Sequence, residues 1–183
     1  MNERCLILID GSNFYFKLKD LKLHNLLSFN FTKFVNFLTH SSKNTDICYY
    51  VGRIKQDSTE KTDKLFNAQQ KLIGNLKKHK IRFSLGYLLK SGDVFHEKGV
   101  DVQIAVDMVV AAYEQKFDKI LVVSSDTDLA PAIKKAREKG KVVKYVGFSH
   151  MPSVAMVSFC TESVLLTKED ITKFIDKKKV MVK

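Results

Sequence analysis

The segment KILVVSSDTDLAPAIKKAREKGKVVKYVGF, residues 119–148, has the pattern of a strand, a helix and a second strand. The apolar runs at residues 120–123 and 142–146 predict two buried strands. Between them, residues 129–139 have the apolar spacing of a helix, and Gly140 follows as a suitable residue to end it. Strands joined through a helix in this way are typically parallel neighbours in one sheet.

The same alternation extends along the rest of the chain. Residues 87–95 predict a hairpin that turns at residues 91–93. Further strands are predicted at 5–9, 47–51, 81–85 and 164–166, and helices at 29–38, 59–80, 100–113, 153–159 and 170–175. This order predicts a single α/β domain with a mostly parallel sheet and helices on both faces, a Rossmann-like three-layer architecture.

Composition narrows the class of protein and partner. The chain has 183 residues with 45% hydrophobic content, which fits one domain with a substantial core. The formal net charge of +11 favours nucleic acid or an anionic surface as partner, and a lysine-rich compositional bias is the alternative explanation. No apolar stretch approaches the roughly 18–20 residues of a membrane span, so no membrane partner is predicted. The scattered cysteines, Cys5, Cys48 and Cys160, indicate buried free thiols and a cytoplasmic location.

Acidic residues stand where predicted strands end. Asp10 follows the first strand, and Asp126 and Asp128 follow the strand at 120–123. In an open parallel sheet, ligands bind beyond the carboxyl ends of the strands. A helix that precedes a strand runs antiparallel to it, so Asp101, at the start of the preceding helix, should reach the same edge. We therefore expect these four carboxylates to lie close together.

Four ionised carboxylates repel one another unless a positive charge lies among them. Mg²⁺ or Mn²⁺ fits an all-oxygen set of ligands, whereas zinc would favour histidine or cysteine. Each acid also has an ordinary structural interpretation: Asp128 as the N-cap of the helix at 129–139, Asp10 in a turn, and Asp101 as a favourable charge at a helix start. Their joint placement at one edge favours the metal site.

Three segments together resemble the NYN-domain ribonucleases, a branch of the PIN-like nuclease fold. They are LILIDGSNFYF at residues 6–16, EKGVDVQIAVDMV at residues 97–109, and residues 119–148. The resemblance implies a PIN-like nuclease domain at residues 1–176, followed by a basic tail at 177–183.

The resemblance also implies the roles of individual residues. Its implied catalytic residues are Asp10, Asn13, Asp101, Asp107, Asp126 and Asp128. Four of them, Asp10, Asp101, Asp126 and Asp128, would hold Mg²⁺ or Mn²⁺. Helical geometry argues against Asp107, because six residues beyond Asp101 it would lie about 9 Å lower and about 240° around the helix.

Basic and aromatic residues near the acids predict the substrate. Arg53 and Lys55 follow the second strand, and Lys98 precedes Asp101, so we expect all three to contact phosphates. The alternative is that they are solvated charges on loops. Among the aromatic residues at 14–16, one is expected to stack on an unpaired base and the others to join the core. The sequence thus predicts a metal-dependent ribonuclease acting on single-stranded or structured RNA. The alternative is an RNA- or protein-binding module without hydrolytic activity, and a homodimer stays open.

Overall fold

The computed structural model describes residues 3–41, 44–54, 59–91 and 94–176. Lys55 and the predicted basic tail at 177–183 lie outside these ranges. The strands are β1 (Cys5–Asp10), β2 (Thr45–Val51), β3 (Arg82–Leu85), β4 (Tyr87–Ser91), β5 (Val94–Lys98), β6 (Lys119–Val123), β7 (Val142–Phe148) and β8 (Glu162–Leu166). The helices are α1 (Gly11–Asp20), α2 (Phe31–Leu38), α3 (Glu60–Lys78), α4 (Val100–Tyr113), α5 (Ala130–Glu138), α6 (Val154–Phe159) and α7 (Lys168–Thr172), with a 3₁₀ turn at Thr127–Leu129.

Within the described ranges, six strands form one sheet in the order β3-β2-β1-β6-β7-β8. Every neighbouring pair in it is parallel. Strands β4 and β5 form a separate antiparallel hairpin, as the sequence predicts. The strand order reverses direction between β1 and β6, and in doubly wound sheets such a switch point opens a crevice at the carboxyl ends of the strands.

Strand β1 lies at the centre of the sheet and is buried along its whole length. Its side chains alternate, so that Ile7 and Ile9 join one hydrophobic core while Leu6 and Leu8 join the other. A strand covered on both faces reads as a continuous apolar run, and this explains why CLILI lacks polar alternation.

The two cores make the three layers of the predicted α/β fold, which is confirmed. On one face, α1, α2, α3 and α7 pack on the sheet with buried aromatic rings such as Phe14 and Phe34, whose centroids lie 5.6 Å apart. On the other face, α4, α5 and α6 pack through residues such as Met108 and Ile133. None of the helices in the described part of the chain is long and apolar enough to cross a membrane.

The first and the last helix differ most from the predicted elements. Helix α1 was not predicted, because its first residues read as a turn after β1, yet the Asp10 side chain caps it. The last helix spans Lys168–Thr172 rather than residues 170–175. Thr167 and Asp170 form a capping box that begins this helix earlier, while Ile175 bridges to Phe29 in an antiparallel arrangement.

Candidate active site at the β1–β6 switch point

Asp10 ends β1 and lies buried, with 5% of its surface exposed. Its Oδ1 accepts the backbone N–H of Asn13 at 3.0 Å, and its Oδ2 accepts the Ser124 hydroxyl at 2.8 Å. Burial raises the pKa of Asp10, the hydrogen bonds from Asn13 and Ser124 lower it, and the charge of Asp126 raises it again. The carboxylate is therefore firmly oriented, and a nearby cation would stabilise its ionised form.

The pairing of β1 with β6 determines the partner of Asp10. Ile9 lies opposite Val123, so the next residue on each strand, Asp10 and Ser124, meet at the carboxyl ends. The Ser124 hydroxyl oxygen also accepts the backbone N–H of Asp126 at 3.1 Å. One serine thus connects the end of β1 to the turn that follows β6.

Asp126 forms the cap in the turn after β6. Its Oδ1 accepts the backbone N–H of Asp128 at 2.9 Å, and it is the N-cap of the 3₁₀ turn Thr127–Leu129. The alternative interpretation of Asp128 as an N-cap does not hold, because the 3₁₀ turn begins the helical segment two residues earlier than the apolar pattern indicates and Leu129 precedes α5. Asp128 lies in the first turn instead, with its side chain exposed.

Asn13 connects α1 to the same turn. Its side-chain Oδ1 accepts the backbone N–H of Ser125 at 3.2 Å, and the Ser125 hydroxyl lies 2.9 Å from the Tyr145 hydroxyl. Ser124 and Ser125 were not among the predicted site residues. Their position in the sequence could have identified them, because they stand between an apolar strand and Asp126 and so place two short hydroxyl side chains at the strand end.

Asp101 approaches the acids of the switch point from the first turn of α4. Partial burial raises its pKa, and the charges of Asp10, Asp126 and Asp128 raise it further. The structure thus brings Asp101 within electrostatic reach of the other three carboxylates. Gly99 makes the sharp entry into α4 with a φ of 87°, a left-handed conformation that glycine adopts without strain.

Asp107 lies apart from these four carboxylates. It accepts hydrogen bonds from the Tyr50 hydroxyl at 2.6 Å and from Gln103 Nε2 at 2.7 Å. It lines a cavity together with Leu6 and Asp46, which lie near the amino ends of β1 and β2. This placement agrees with helical geometry and differs from the site position that the resemblance implies for Asp107.

The family model of the NYN domain matches residues 4–167. The chain belongs to the NYN domain family. NYN domains are a PIN-like nuclease family.

The chain is also similar to three known proteins. An uncharacterized protein of Methanocaldococcus jannaschii is 35% identical over 83 residues, which make up 44% of this chain and 35% of that protein. This NYN domain thus matches about a third of the length of that relative. The crystal structure of a protein of unknown function from Vibrio parahaemolyticus matches with a TM-score of 0.66 at 18% identity, covering 90% of this chain and 93% of that chain, so the two share a fold. A T5 5′-exonuclease mutant matches with a TM-score of 0.42 at 16% identity, covering 85% of this chain and 56% of that one.

Two predicted phosphate-binding residues of this NYN domain fall within the described ranges. Arg53 is exposed in the loop after β2, and Gln69 of α3 holds that loop. The Gln69 side chain donates from Nε2 to the Gly52 carbonyl at 2.7 Å and accepts the Ile54 N–H through Oε1 at 3.1 Å. Lys98 is exposed at the end of β5 and lines a small pocket with residues of the α4 start.

The carboxylate oxygens at the switch point of this NYN domain are the type of ligand that a hard divalent cation prefers. Their positions, however, do not form a complete set of protein ligands. Across residues 3–41, 44–54, 59–91 and 94–176, no three histidine, cysteine, aspartate or glutamate side chains group closely enough to hold a metal ion by themselves. Mg²⁺ commonly keeps several waters and binds through only one or two carboxylates. A cation held here would therefore be coordinated partly by water.

Proposed function

We propose that this NYN domain is a metal-dependent ribonuclease that hydrolyses RNA phosphodiester bonds at an aspartate-held Mg²⁺ or Mn²⁺ site. The observation that supports this best is that Asp10, at the end of β1, and Asp126, in the turn after β6, are joined through the Ser124 hydroxyl at the switch point. Asp101, in the first turn of α4, lies within electrostatic reach of both carboxylates. Membership of a PIN-like nuclease family supports the reaction class. The net charge of +11 supports a polyanionic substrate.

The four acidic residues differ in how firmly their side chains are held, and we assign their roles accordingly. A bound divalent cation would supply Lewis-acid activation of water and neutralise charge on the phosphate. Asp10, fixed through both oxygens, and Asp126, fixed through its cap, are the anchoring carboxylates. Asp101 and Asp128 are exposed and complete the acidic rim.

Other side chains contact the RNA rather than the cation. Asn13 has its side-chain oxygen engaged by Ser125, and its amide NH₂ group is chemically suited to donate to a phosphate oxygen. Arg53, in the loop after β2, and Lys98, at the end of β5, supply positive charge, and phosphate contacts of this kind position a strand without reading its sequence. Lys55 belongs to the same proposed set by its position in the sequence.

Cleavage assays test this proposal. Purified protein is incubated with single-stranded RNA and hairpin RNA in Mg²⁺, Mn²⁺ or chelator, and we expect cleavage only with the metal. Asp126→Asn removes the charge but keeps the cap, because asparagine caps a helix as well as aspartate does. We therefore expect the cleavage rate to fall by several orders of magnitude while the protein stays folded. Asp118→Asn is the matched control, because this exposed acid precedes β6 at the amino end of the sheet and pairs with Arg4 at 2.9 Å. RNA that stays intact with wild-type protein and either metal would overturn the proposal.

A binding module without hydrolysis is the second candidate, and the lack of a closed three-residue metal group in the described ranges favours it. Thermal melting separates the two candidates. A ligand that binds only the folded state raises the melting temperature. We expect Mn²⁺ to raise that of the wild type and to raise that of Asp126→Asn less. Unchanged melting in both, together with RNA binding in chelator, would establish the binding module instead.

A further inference from the structure

An open and mostly apolar pocket lies beside Asp10, between α1 and α3. Gly11 and Ser12, the first residues of α1, form the wall nearest the acids, and Ile54 and Leu65 contribute apolar surface from the other side. Its volume of about 570 Å³ falls within the roughly 300–1,000 Å³ of small-molecule sites. None of the roles proposed above uses this pocket.

Aromatic rings line the pocket in a fixed arrangement. Phe16, in the middle of α1, is 58% exposed. Its ring lies 5.7 Å from that of Tyr15 in an edge-to-face arrangement, and Tyr15 is packed in the same way against His24 at 5.7 Å. Phe14, by contrast, is fully buried in the core. The pocket therefore presents one exposed ring braced by a second.

The position of the pocket indicates what could enter it. Gly11 and Ser12 directly follow Asp10, so the pocket and the proposed cleavage site share the first turn of α1. On the other side, Ile54 lines the pocket next to Arg53, the exposed cation proposed to bind phosphate. An RNA strand that runs from Arg53 past Gly11 and Ser12 toward the proposed cleavage site would bring an intervening base to the pocket. Unpaired bases stack on aromatic side chains of proteins that bind single strands.

We propose that an unpaired nucleobase of the RNA substrate stacks in this pocket against Phe16, with Tyr15 bracing the ring; the placement of the strand rests on the proposed function. Gln69 lines the pocket, but its amide oxygen and nitrogen both bond the backbone of the loop after β2. Recognition therefore comes from stacking more than from the edge of the base. A base in a duplex cannot enter, so the pocket selects single-stranded RNA.

Binding measurements in chelator test the pocket without requiring cleavage. Three labelled ligands are compared: a single-stranded RNA, the same backbone without bases, and a duplex of equal length. Each is about ten nucleotides long, which is within the range of single-strand binding sites. Phe16→Leu keeps apolar volume and removes the ring. Phe37→Leu is the matched control, since Phe37 is 41% exposed on α2 and its ring packs on Phe174 at 5.4 Å, away from the pocket. Circular dichroism checks that each variant is folded.

We expect Phe16→Leu to raise the Kd for single-stranded RNA by about 5- to 150-fold, the range measured for stacking aromatic residues. Phe37→Leu should bind like the wild type. Removing the bases from the RNA should weaken binding by the wild type much more than binding by Phe16→Leu. The two proteins should have the same Kd for the duplex.

The outcomes separate the pocket from the nuclease. Equal single-strand affinity for Phe16→Leu and wild type, an equal loss from both when the bases are removed, or no binding of single-stranded RNA by the wild type would each overturn the pocket. A wild type that binds through Phe16 but cleaves no RNA with metal would instead overturn the nuclease and leave the pocket standing.

Discussion

Replacing Asp107 with asparagine separates two lines of reasoning about the active site. The family resemblance implies a catalytic acid, so that Asp107→Asn would abolish activity. In the structure, Asp107 instead anchors α4 to β2 through the Tyr50 hydroxyl, and it accepts a second hydrogen bond from Gln103 within α4. We therefore expect Asp107→Asn to lower stability and to leave most of the activity.

The size of the stability loss follows from the two hydrogen bonds. Bonds to a charged group contribute about 1.5–3 kcal/mol and neutral ones about 1 kcal/mol. Asparagine keeps an oxygen acceptor, so the substitution removes mainly the charge assistance, about 0.5–2 kcal/mol for the part-buried bond from Tyr50. The bond from Gln103 is exposed to solvent and adds little, so the total is about 1–2 kcal/mol. For a chain of this length, that loss lowers the melting temperature by about 2–8 °C.

The assay combines melting with cleavage. Tyr50→Phe removes the same hydrogen bond from the other side and should lower the melting temperature by a similar amount, and the double variant should lose less than the sum of the two. Both variants should keep the cleavage rate within about tenfold of wild type, whereas Asp126→Asn should lose several orders of magnitude. Asp107→Asn with wild-type melting and a rate as low as that of Asp126→Asn would refute the anchoring role.

Three further predictions concern the surroundings of the site. Gly11→Ala should destabilise the protein by about 1–3 kcal/mol in thermal melting, because the added Cβ would lie 2.5 Å from the Tyr50 carbonyl oxygen. Gly74→Ala in α3 is the control: a Cβ there meets nothing within 4 Å, so this variant should be slightly more stable than wild type. An equal effect of the two substitutions would contradict the crowding argument. Gln69→Leu leaves two backbone groups of the loop after β2 without their hydrogen-bond partner, so thermal melting should show a loss of stability of about 1–3 kcal/mol. RNA titration should show a weaker affinity. Unchanged melting would show that the loop does not need Gln69. Lys98→Ala should reduce the slope of log affinity against log salt concentration by roughly 0.7–1 in RNA titrations, since one phosphate contact is lost, and an unchanged slope would remove Lys98 from the interface.

Local patterns along the chain were sufficient to predict most of the elements and the edge on which the acids lie. Strand β6 is an apolar run ended by polar residues, and α4 spans Val100–Tyr113 in both the prediction and the structure. Helical periodicity alone separates Asp107 from Asp101. These properties depend on neighbours within a few residues, and the sequence contains that information directly.

The sequence pattern did not predict α1, because a helix that starts immediately at a strand end with Asp-Gly-Ser-Asn resembles a turn. Its N-cap, Asp10, gains a second hydrogen bond from Ser124, 114 residues away. That bond stabilises the orientation of Asp10 only after β1 and β6 have paired. Local propensity is therefore a weak guide where a distant partner stabilises the start of a helix.

The alternation of strands and helices, the buried character of β1 and the acids at the strand ends can all be predicted from residue type and spacing over short distances. Four features depend on contacts between distant segments: β1 lies beside β6, Ser124 donates a hydrogen bond to Asp10 Oδ2, Asp126 is the cap, and an exposed Phe16 lines a pocket beside the acids. The physical reason is that strand order, register and the shape of a pocket depend on how two separate cores pack against one sheet. Contacts between residues far apart in the chain determine that packing, and no local pattern encodes it.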